Sequence, residues 1–243
     1  MTAAAIEQLR LQSISWGVQL GRAQLSSFNT YADLLAKYSL ANIIGTRSRD
    51  QIVLEHFIDS VSCFLLEDLH RRQHVIDVGS GGGLPGIPLA IVQPDLCVTL
   101  LEPTTKKVRF LEYAVATLGL RNTQVLHARA EEVATQPASR ETFASATTRA
   151  LASLPVILEY CAPLVRPGGV ILAMKGRLPE EELSKGTVAS QQLGAALREV
   201  REVEYPVRSL QKERRLVVFD KVTTTHERFP RRVGLAKKRP LGT

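Results

Sequence analysis

The apolar positions of this chain follow two different periods, and the change falls close to residue 75. Before it, apolar residues recur three and four positions apart, which predicts amphipathic helices. One such stripe comprises Leu25, Phe28, Tyr31, Leu34, Leu35 and Tyr38. Ser48, followed three residues later by Gln51, forms a capping-box pattern ahead of a second stripe that begins at Ile52. We therefore predict a helical N-terminal extension over residues 1–70.

From Val75 onward, short apolar runs alternate with helical patterns. The predicted strands are 75–78, 97–101, 124–126, 143–148, 170–174, 202–207 and 216–219, and the predicted helices are 86–92, 106–118, 154–164 and 179–197. Such alternation is typical of an α/β fold with a doubly wound, mostly parallel sheet, here of seven strands. No helix separates the last two strands, so we expect them to pair antiparallel. This core spans residues 71–222, and residues 223–243 are predicted to form an extended tail.

Composition and cysteine usage limit the possible classes of protein. At 243 residues, with 44% hydrophobic and 23% charged residues, the chain has the size and balance of a globular α/β domain with an extension. Cys63, Cys97 and Cys161 lie far apart and no export leader is seen, which favours reduced thiols and a cytoplasmic location. No apolar run reaches the roughly 18 residues of a membrane span. The histidines lack metal-ligand spacing, so we expect no bound metal. We also expect the protein to be a monomer.

The chain is organised around a glycine-rich stretch at residues 74–88, HVIDVGSGGGLPGIP. A short apolar strand ends there in Asp77 and passes into glycines before the next helix. A buried parallel strand ends in this way at a ligand site. Glycine takes positive φ angles and lets a ligand approach backbone amides, so we predict a nucleotide-type cofactor at this strand end.

Two kinds of cofactor use such a loop, and the dinucleotide pattern fits poorly. The pattern G-x-G-x-x-G should start directly after the strand, but from Gly79 it fails because Leu84 stands at the third glycine. A match at Gly81, Gly83 and Gly86 starts two residues too late after the strand. An NAD(P)-dependent oxidoreductase therefore stays as an alternative only.

The spacing between Asp77 and the glycines that follow it favours S-adenosylmethionine as the cofactor. The spacing Asp77-x-Gly79-x-Gly81-x-Gly83 resembles motif I of S-adenosylmethionine-dependent methyltransferases. Glu102 follows the second strand, where a carboxylate can accept hydrogen bonds from both ribose hydroxyls of a nucleoside. We predict cofactor contacts from Asp77, Gly79, Ser80, Gly81, Gly83 and Glu102.

The sequence after the fourth strand limits the methyl acceptor. Amino-methylating enzymes of this fold usually carry Asn/Asp-Pro-Pro-Tyr there, whereas residues 147–151 read TTRAL. Carbon-5 pyrimidine enzymes need a cysteine nucleophile, but Cys161 lies inside a predicted helix. An acceptor with its own lone pair, such as guanine N7, needs neither base nor nucleophile, only in-line alignment and electrostatics. A methyltransferase for another acceptor and a non-catalytic RNA-binding protein stay as alternatives.

Three stretches carry a family resemblance: VIDVGSGGGLPGIPLAIVQPD at 75–95, LLEPTTKKVRFLEYAVATLGL at 100–120 and HARAEEVA at 127–134. They closely resemble the bacterial small-subunit ribosomal RNA guanine-N7 methyltransferases of the G type, formerly called glucose-inhibited division protein B. Residues 84–88 are the most specific part, because most methyltransferases lack this extension of the glycine loop. Residues 56–60, 148–150 and 230–241 match the family too.

The resemblance implies a Rossmann-like class I fold and transfer of a methyl group from S-adenosylmethionine to one guanine N7 in the decoding region of 16S rRNA. The substrate is then 16S rRNA, free or within a small-subunit assembly intermediate. By position, the family's cofactor contacts correspond to Gly79, Leu84, Ala130, Glu131 and Arg149, and its ribose-facing acid to Glu102. Arg149 and Lys175 are the catalytic candidates, with Lys175 also expected to contact the target. The resemblance further implies RNA or pocket-wall contacts from His56, Asp59 and Ser60.

The charge of the chain is concentrated in its tail. Residues 226–243 contain six Lys/Arg and one Glu, so they carry +5 of the net charge of +7. Basic side chains of this kind add affinity for phosphates without sequence choice. We predict that Arg231, Arg232, Lys237 and Lys238 bind RNA.

Overall fold

The computed structural model describes residues 3–40, 43–71, 73–205 and 213–242. Within these ranges, seven strands form a sheet in the order β3–β2–β1–β4–β5–β7–β6. The strands are β1 (His74–Val78), β2 (Cys97–Leu101), β3 (Thr123–Leu126), β4 (Phe143–Arg149), β5 (Val165–Lys175), β6 (Ala195–Glu202) and β7 (Arg215–Lys221). The pairs β1/β4, β2/β3 and β4/β5 are parallel, and β7 is antiparallel to both β5 and β6. The predicted fold class is confirmed.

Helices occupy the first 70 residues and the connections between parallel strands. They are α1 (Ala3–Ser15), α2 (Arg22–Lys37), α3 (Arg49–Ile52), α4 (Ile58–Val61), α5 (Gly86–Val92), α6 (Thr105–Leu118), α7 (Ala130–Val133), α8 (Leu154–Cys161), α9 (Glu180–Gln192) and α10 (Leu235–Lys238). A π-helical turn, Val53–Phe57, joins α3 to α4. Among the described helices, none is long and apolar enough to cross a bilayer.

Contacts divide the chain into two compact units. The first unit contains residues 1–72, 80–127 and 204–211. Inside it, the apolar stripe of α2 packs on the π-helical turn: the Phe57 ring lies 5.0 Å from Tyr31, stacked, and 5.2 Å from Phe28. All three rings are fully buried, so this aromatic cluster is the centre of the helical part of the unit. The predicted domain boundaries at residues 70 and 222 stay a prediction.

The second unit contains residues 73–79, 128–203 and 212–243. Its centre is the pairing of β4 with β5 and of β5 with β7, in which Leu172 faces Thr147 on one side and Val218 on the other. Every residue of α8 is buried, including one acid, Glu159. A buried charge in an otherwise apolar helix needs a partner, and the tail supplies it, as described below.

The late strands differ from the prediction. The helix predicted for 179–197 ends at Gln192, and β6 covers 195–202 in place of the predicted 202–207, of which 206–207 lie outside the described residues. Gly194, at φ +74°, turns the chain from α9 into β6. Charged residues within β6 obscure its alternation, so the strand is recognised only through its pairing with β7. The predicted antiparallel pairing itself is present.

The C-terminal tail docks on the protein at Phe229, as that residue suggests in the sequence, but it is not extended throughout as predicted. The Arg140 guanidinium donates hydrogen bonds to the carbonyl oxygens of Thr225 (2.7 Å) and Phe229 (2.8 Å). The Phe229 side chain is buried, and the chain then forms α10. Backbone carbonyls have no sequence signature, so an anchor of this kind is invisible in the sequence.

Candidate functional site

The sheet order reverses between β1 and β4, and ligands of open α/β sheets bind at the carboxyl ends of strands at such a point. Asp77 near the end of β1 is completely buried and lies opposite Thr147 of β4. The Thr147 hydroxyl donates to Asp77 Oδ1 at 3.3 Å. Arg149, the last residue of β4, is half-buried. Two predicted site residues, Asp77 and Arg149, therefore belong to adjoining strand ends.

The glycines after β1 adopt the conformation for which glycine is suited. Gly79, Gly81 and Gly83 have φ angles of +73°, +58° and +87°. A Cβ at Gly79 would lie 2.6 Å from the Leu151 side chain. The loop is closed by its own backbone, because Ser80 O accepts from the amides of Gly83 (2.7 Å) and Leu84 (3.1 Å). The loop thus has one defined shape that other residues would strain.

Glu102 holds this loop from the end of β2. Its side chain is 4% exposed, and its Oε2 accepts from the Gly81 amide at 3.0 Å while Oε1 accepts from the Thr104 amide at 2.9 Å. The structure thus brings two predicted cofactor residues, Gly81 and Glu102, into direct contact. Each carboxylate oxygen keeps a second lone pair, so the predicted ribose contact is compatible with these bonds and stays a prediction.

Ala130 and Glu131 form the start of α7, and both are buried. The Gly234 amide in the tail donates to Glu131 Oε1 at 3.0 Å. On α8, burial together with the charges of Glu131 and Glu159 raises the pKa of Tyr160 to about 12. The Tyr160 hydroxyl is therefore protonated near neutral pH and serves as a hydrogen-bond donor beside Glu131.

Lys175, at the end of β5, is held by the protein itself. Its Nζ lies 2.7 Å from Glu182 Oε1 and donates to the Ala152 carbonyl oxygen at 3.1 Å. Glu182 also accepts from the Leu154 amide at 2.9 Å. The Lys175 side chain is about 15% exposed. A contact with target RNA, as predicted, would require Lys175 to share its three donors with these partners.

The residues predicted to bind RNA from the N-terminal helices are largely internal. Asp59 is 3% exposed and accepts from the Tyr205 hydroxyl at 3.1 Å. Ser60 is completely buried and donates to the His56 carbonyl oxygen at 2.7 Å. His56 is half-buried on the π-helical turn. For Asp59 and Ser60, the predicted RNA or pocket-wall contacts stay a prediction, and burial leaves little of either side chain for direct contact with RNA.

The tail residues predicted to bind RNA divide into two sets. Arg232, Lys237 and Lys238 are exposed. Arg231 instead points inward, where its Nε and Nη2 atoms lie 2.8 Å and 2.5 Å from the two carboxylate oxygens of Glu159. Its guanidinium is therefore committed to a partner within the protein.

With this geometry in hand, comparison with known proteins assigns the family. Residues 24–212 match the family described as rRNA small subunit methyltransferase G. The chain belongs to that family. A relative of that name from Rubrobacter xylanophilus is 49% identical over 98% of this chain and 92% of its own, and one from Roseiflexus castenholzii is 41% identical over 97% and 99%. The family recognised from the glycine loop is confirmed.

Solved structures support the fold. The 16S rRNA (adenine(1408)-N(1))-methyltransferase of Catenulisporales acidiphilia is similar with a TM-score of 0.51 and 19% identity, covering 65% of this chain and 91% of its own. A precorrin-6y C5,15-methyltransferase from Geobacter metallireducens has a TM-score of 0.51 and 15% identity, covering 76% and 94%. At these identities the likeness concerns the fold alone.

Several residues that shape the site have little or no signature in the sequence. The Tyr31 hydroxyl donates to the Gly82 carbonyl oxygen at 2.5 Å, although the residue looks like ordinary core in the α2 stripe. A buried tyrosine needs a partner for its hydroxyl, which was the available signal. Glu159, a lone acid in an apolar helix, was a second signal. Thr147 had no such signal in the sequence.

Proposed function

We propose that the protein transfers a methyl group from S-adenosylmethionine to N7 of a guanine in the RNA of the small ribosomal subunit. The observation that carries the proposal is the family match over residues 24–212. Each unit contributes features that suit it. In one unit Asp77 and Arg149 belong to adjoining ends of β1 and β4, where open α/β sheets bind ligands, and in the other Glu102 holds the glycine loop. The 16S rRNA is the substrate, and N7 is the acceptor atom.

The residues around the switch point suit S-adenosylmethionine. The backbone of Gly79 to Gly83 leaves no room for side chains at its tightest position, and Asp77 supplies a carboxylate for a cationic group. At the end of β4, the buried Thr148 hydroxyl has no hydrogen-bond partner among the described residues. Glu102, with Ala130 and Glu131, would hold the nucleoside. The bound cofactor supplies an electrophilic methyl group on a sulfonium centre.

The protein's own part in the reaction is alignment. Guanine N7 carries a lone pair at neutral pH, so no side chain has to remove a proton from it. Arg149 stands at the strand end beside Asp77, where it orients an anionic or carbonyl group of the target nucleotide. Lys175, steadied by Glu182, adds positive charge at the neighbouring strand end. Catalysis by position and electrostatics needs such groups to be rigid, and for Lys175 the bonds to Glu182 and to the Ala152 carbonyl oxygen provide this.

The RNA partner is engaged by exposed basic side chains. Arg232, Lys237 and Lys238 lie on the outer side of the docked tail and meet phosphates there. The protein acts in the cytoplasm as a monomer on a small-subunit assembly intermediate, in which the decoding region is still accessible.

The proposal is tested by incubating the protein with labelled S-adenosylmethionine and either deproteinised or partly assembled small-subunit RNA that lacks the modification. Digestion to nucleosides should release labelled N7-methylguanosine. Asp77→Asn, which removes the buried charge with little change in shape, should yield far less product, whereas Glu112→Gln on the exposed face of α6 should match the wild type. A folded protein that yields no N7-methylguanosine on either RNA would refute the proposal.

A further inference from the structure

The C-terminal segment from Thr225 to Arg239 presents two different faces. Its outer face carries the exposed basic residues already assigned to RNA. Its inner face carries Phe229 and Arg231, together with the Gly234 amide. The inner face contacts two buried acids, and one of them, Glu131 at the start of α7, is a predicted cofactor contact.

The first of these acids is Glu159 of α8, whose side chain is completely buried. Arg231 satisfies both of its oxygens with the guanidinium fork, and the Arg231 amide adds a third bond at 3.0 Å. The same guanidinium also donates to the Arg239 carbonyl oxygen at 2.8 Å, which closes the segment on itself. A bidentate arginine with a desolvated carboxylate is a strong and directional pair, and lysine cannot reproduce it.

The second acid is Glu131, at the start of α7. It accepts from the Gly234 amide, three residues after Arg231 in the tail. It also interacts with the Tyr160 hydroxyl, and Tyr160 directly follows Glu159 on α8. The tail, α8 and the start of α7 are therefore connected through two adjacent residues of α8, Glu159 and Tyr160.

We propose that Arg231 is a positioning residue for cofactor binding, which it serves by fixing the start of α7, where Ala130 and Glu131 lie. Its pairing with Glu159 fixes the tail against α8, and this places the Gly234 amide on Glu131. The inference rests on the proposed function in one respect, namely that Ala130 and Glu131 contact S-adenosylmethionine. It assigns to the tail a role in cofactor affinity in addition to RNA binding.

The tail has a separate anchor that makes the role of Arg231 testable. Arg140 holds the segment at Thr225 and Phe229, upstream of Arg231. Substitution of Arg231 should therefore free the part of the tail around Gly234 without releasing its beginning. Arg232, the next residue, is exposed and equally basic, which makes it the matched control.

The first measurement is titration calorimetry with S-adenosylhomocysteine on the full-length protein. Arg231→Ala should raise the dissociation constant about tenfold, within the usual range for a coupling between two sites. Arg231→Lys should raise it less, and Arg232→Ala should leave it unchanged. Val218→Ala, a cavity variant in β7, should lower the melting temperature without changing this affinity.

The second measurement is hydrogen exchange of residues 129–133 without cofactor. Arg231→Ala and Arg231→Lys should accelerate exchange there, and Arg232→Ala should not. Wild-type affinity and wild-type exchange in the Arg231 variants would overturn the inference, as would an equal loss of affinity in Val218→Ala. If the wild-type protein itself fails to bind S-adenosylhomocysteine, the proposed function fails, and the exchange data alone decide on Arg231. Should Arg231→Ala fail to fold, Arg231→Lys is compared with the wild type in both the affinity and the exchange measurement.

Discussion

Replacement of Glu102 by glutamine should weaken cofactor binding severely although the side chain keeps its shape. Both carboxylate oxygens of Glu102 accept hydrogen bonds from backbone amides, from Gly81 and from Thr104. Glutamine offers one oxygen and one NH₂ group. Whichever way the amide is turned, its NH₂ group faces a backbone N–H, so one donor meets another donor at a 4% exposed position.

The size of the effect follows from these two contacts. A hydrogen bond to a charged acceptor contributes about 1.5–3 kcal/mol, and a buried amide left without a partner costs about 1–3 kcal/mol. The lower ends of these two ranges add to about 2.5 kcal/mol, which approaches a hundredfold in a dissociation constant. Part of this loss will lower stability instead, because the loop is already formed without cofactor. We expect S-adenosylhomocysteine to bind Glu102→Gln between about tenfold and a hundredfold more weakly.

Calorimetric titration measures the loss of cofactor affinity, and thermal unfolding of the same samples measures the loss of stability. Glu112→Gln makes the same chemical change at an exposed position of α6 and should bind like the wild type. If Glu102→Gln binds S-adenosylhomocysteine with wild-type affinity, the loop does not depend on this carboxylate and the reasoning is refuted.

Three further substitutions test other parts of the structure. Gly83→Ala, at φ +87° and without room for a Cβ, should lose about 2 kcal/mol of unfolding free energy in urea. Glu141→Gln should cost about 3 kcal/mol in the same assay, since it leaves the fully buried ammonium of Lys221 without its charged partner. Lys237→Ala combined with Lys238→Ala should weaken RNA binding, lower the salt slope by about 2, and preserve cofactor affinity.

Each of these has a contrary outcome. A wild-type urea midpoint in Gly83→Ala would mean that the glycine loop tolerates a side chain at its most crowded point. Wild-type stability in Glu141→Gln would show that Lys221 is buried without charge. An unchanged salt slope in the double lysine variant would remove the outer face of the tail from the RNA interface.

Local patterns predicted the strand and the loop that carry the site. Asp77 ends an apolar run, and the glycines that follow have positive φ angles, so strand end and loop shape are properties of a few adjacent residues. The parallel strands were predicted for the same reason. The prediction was wrong at β6, because Gly194 sets its start and long-range pairing with β7 sets its register.

The candidate site could be predicted only in part. The contact between Gly81 and Glu102 agrees with their expected place at adjoining strand ends. The internal partners of Asp59 and Lys175 were not foreseen. Tyr205 lies 146 residues after Asp59, and the pairing of Lys175 with Glu182 depends on how β5 is followed by α9 in the fold. A polar side chain shows in a sequence, but its burial depends on what packs against it.

The sequence by itself determined the family, the α/β architecture and the register of the acid against the glycines, since these follow from local periodicity and from residue types at short spacing. Only the tertiary structure decided the role of each charge in the tail. Arg231 and Arg232 are adjacent and chemically identical, yet one is paired with Glu159, 72 residues away, and the other faces solvent. The physical reason is that a charged side chain is paired or exposed according to the distance and burial of an oppositely charged partner. The packing of the tail on α8 determines both.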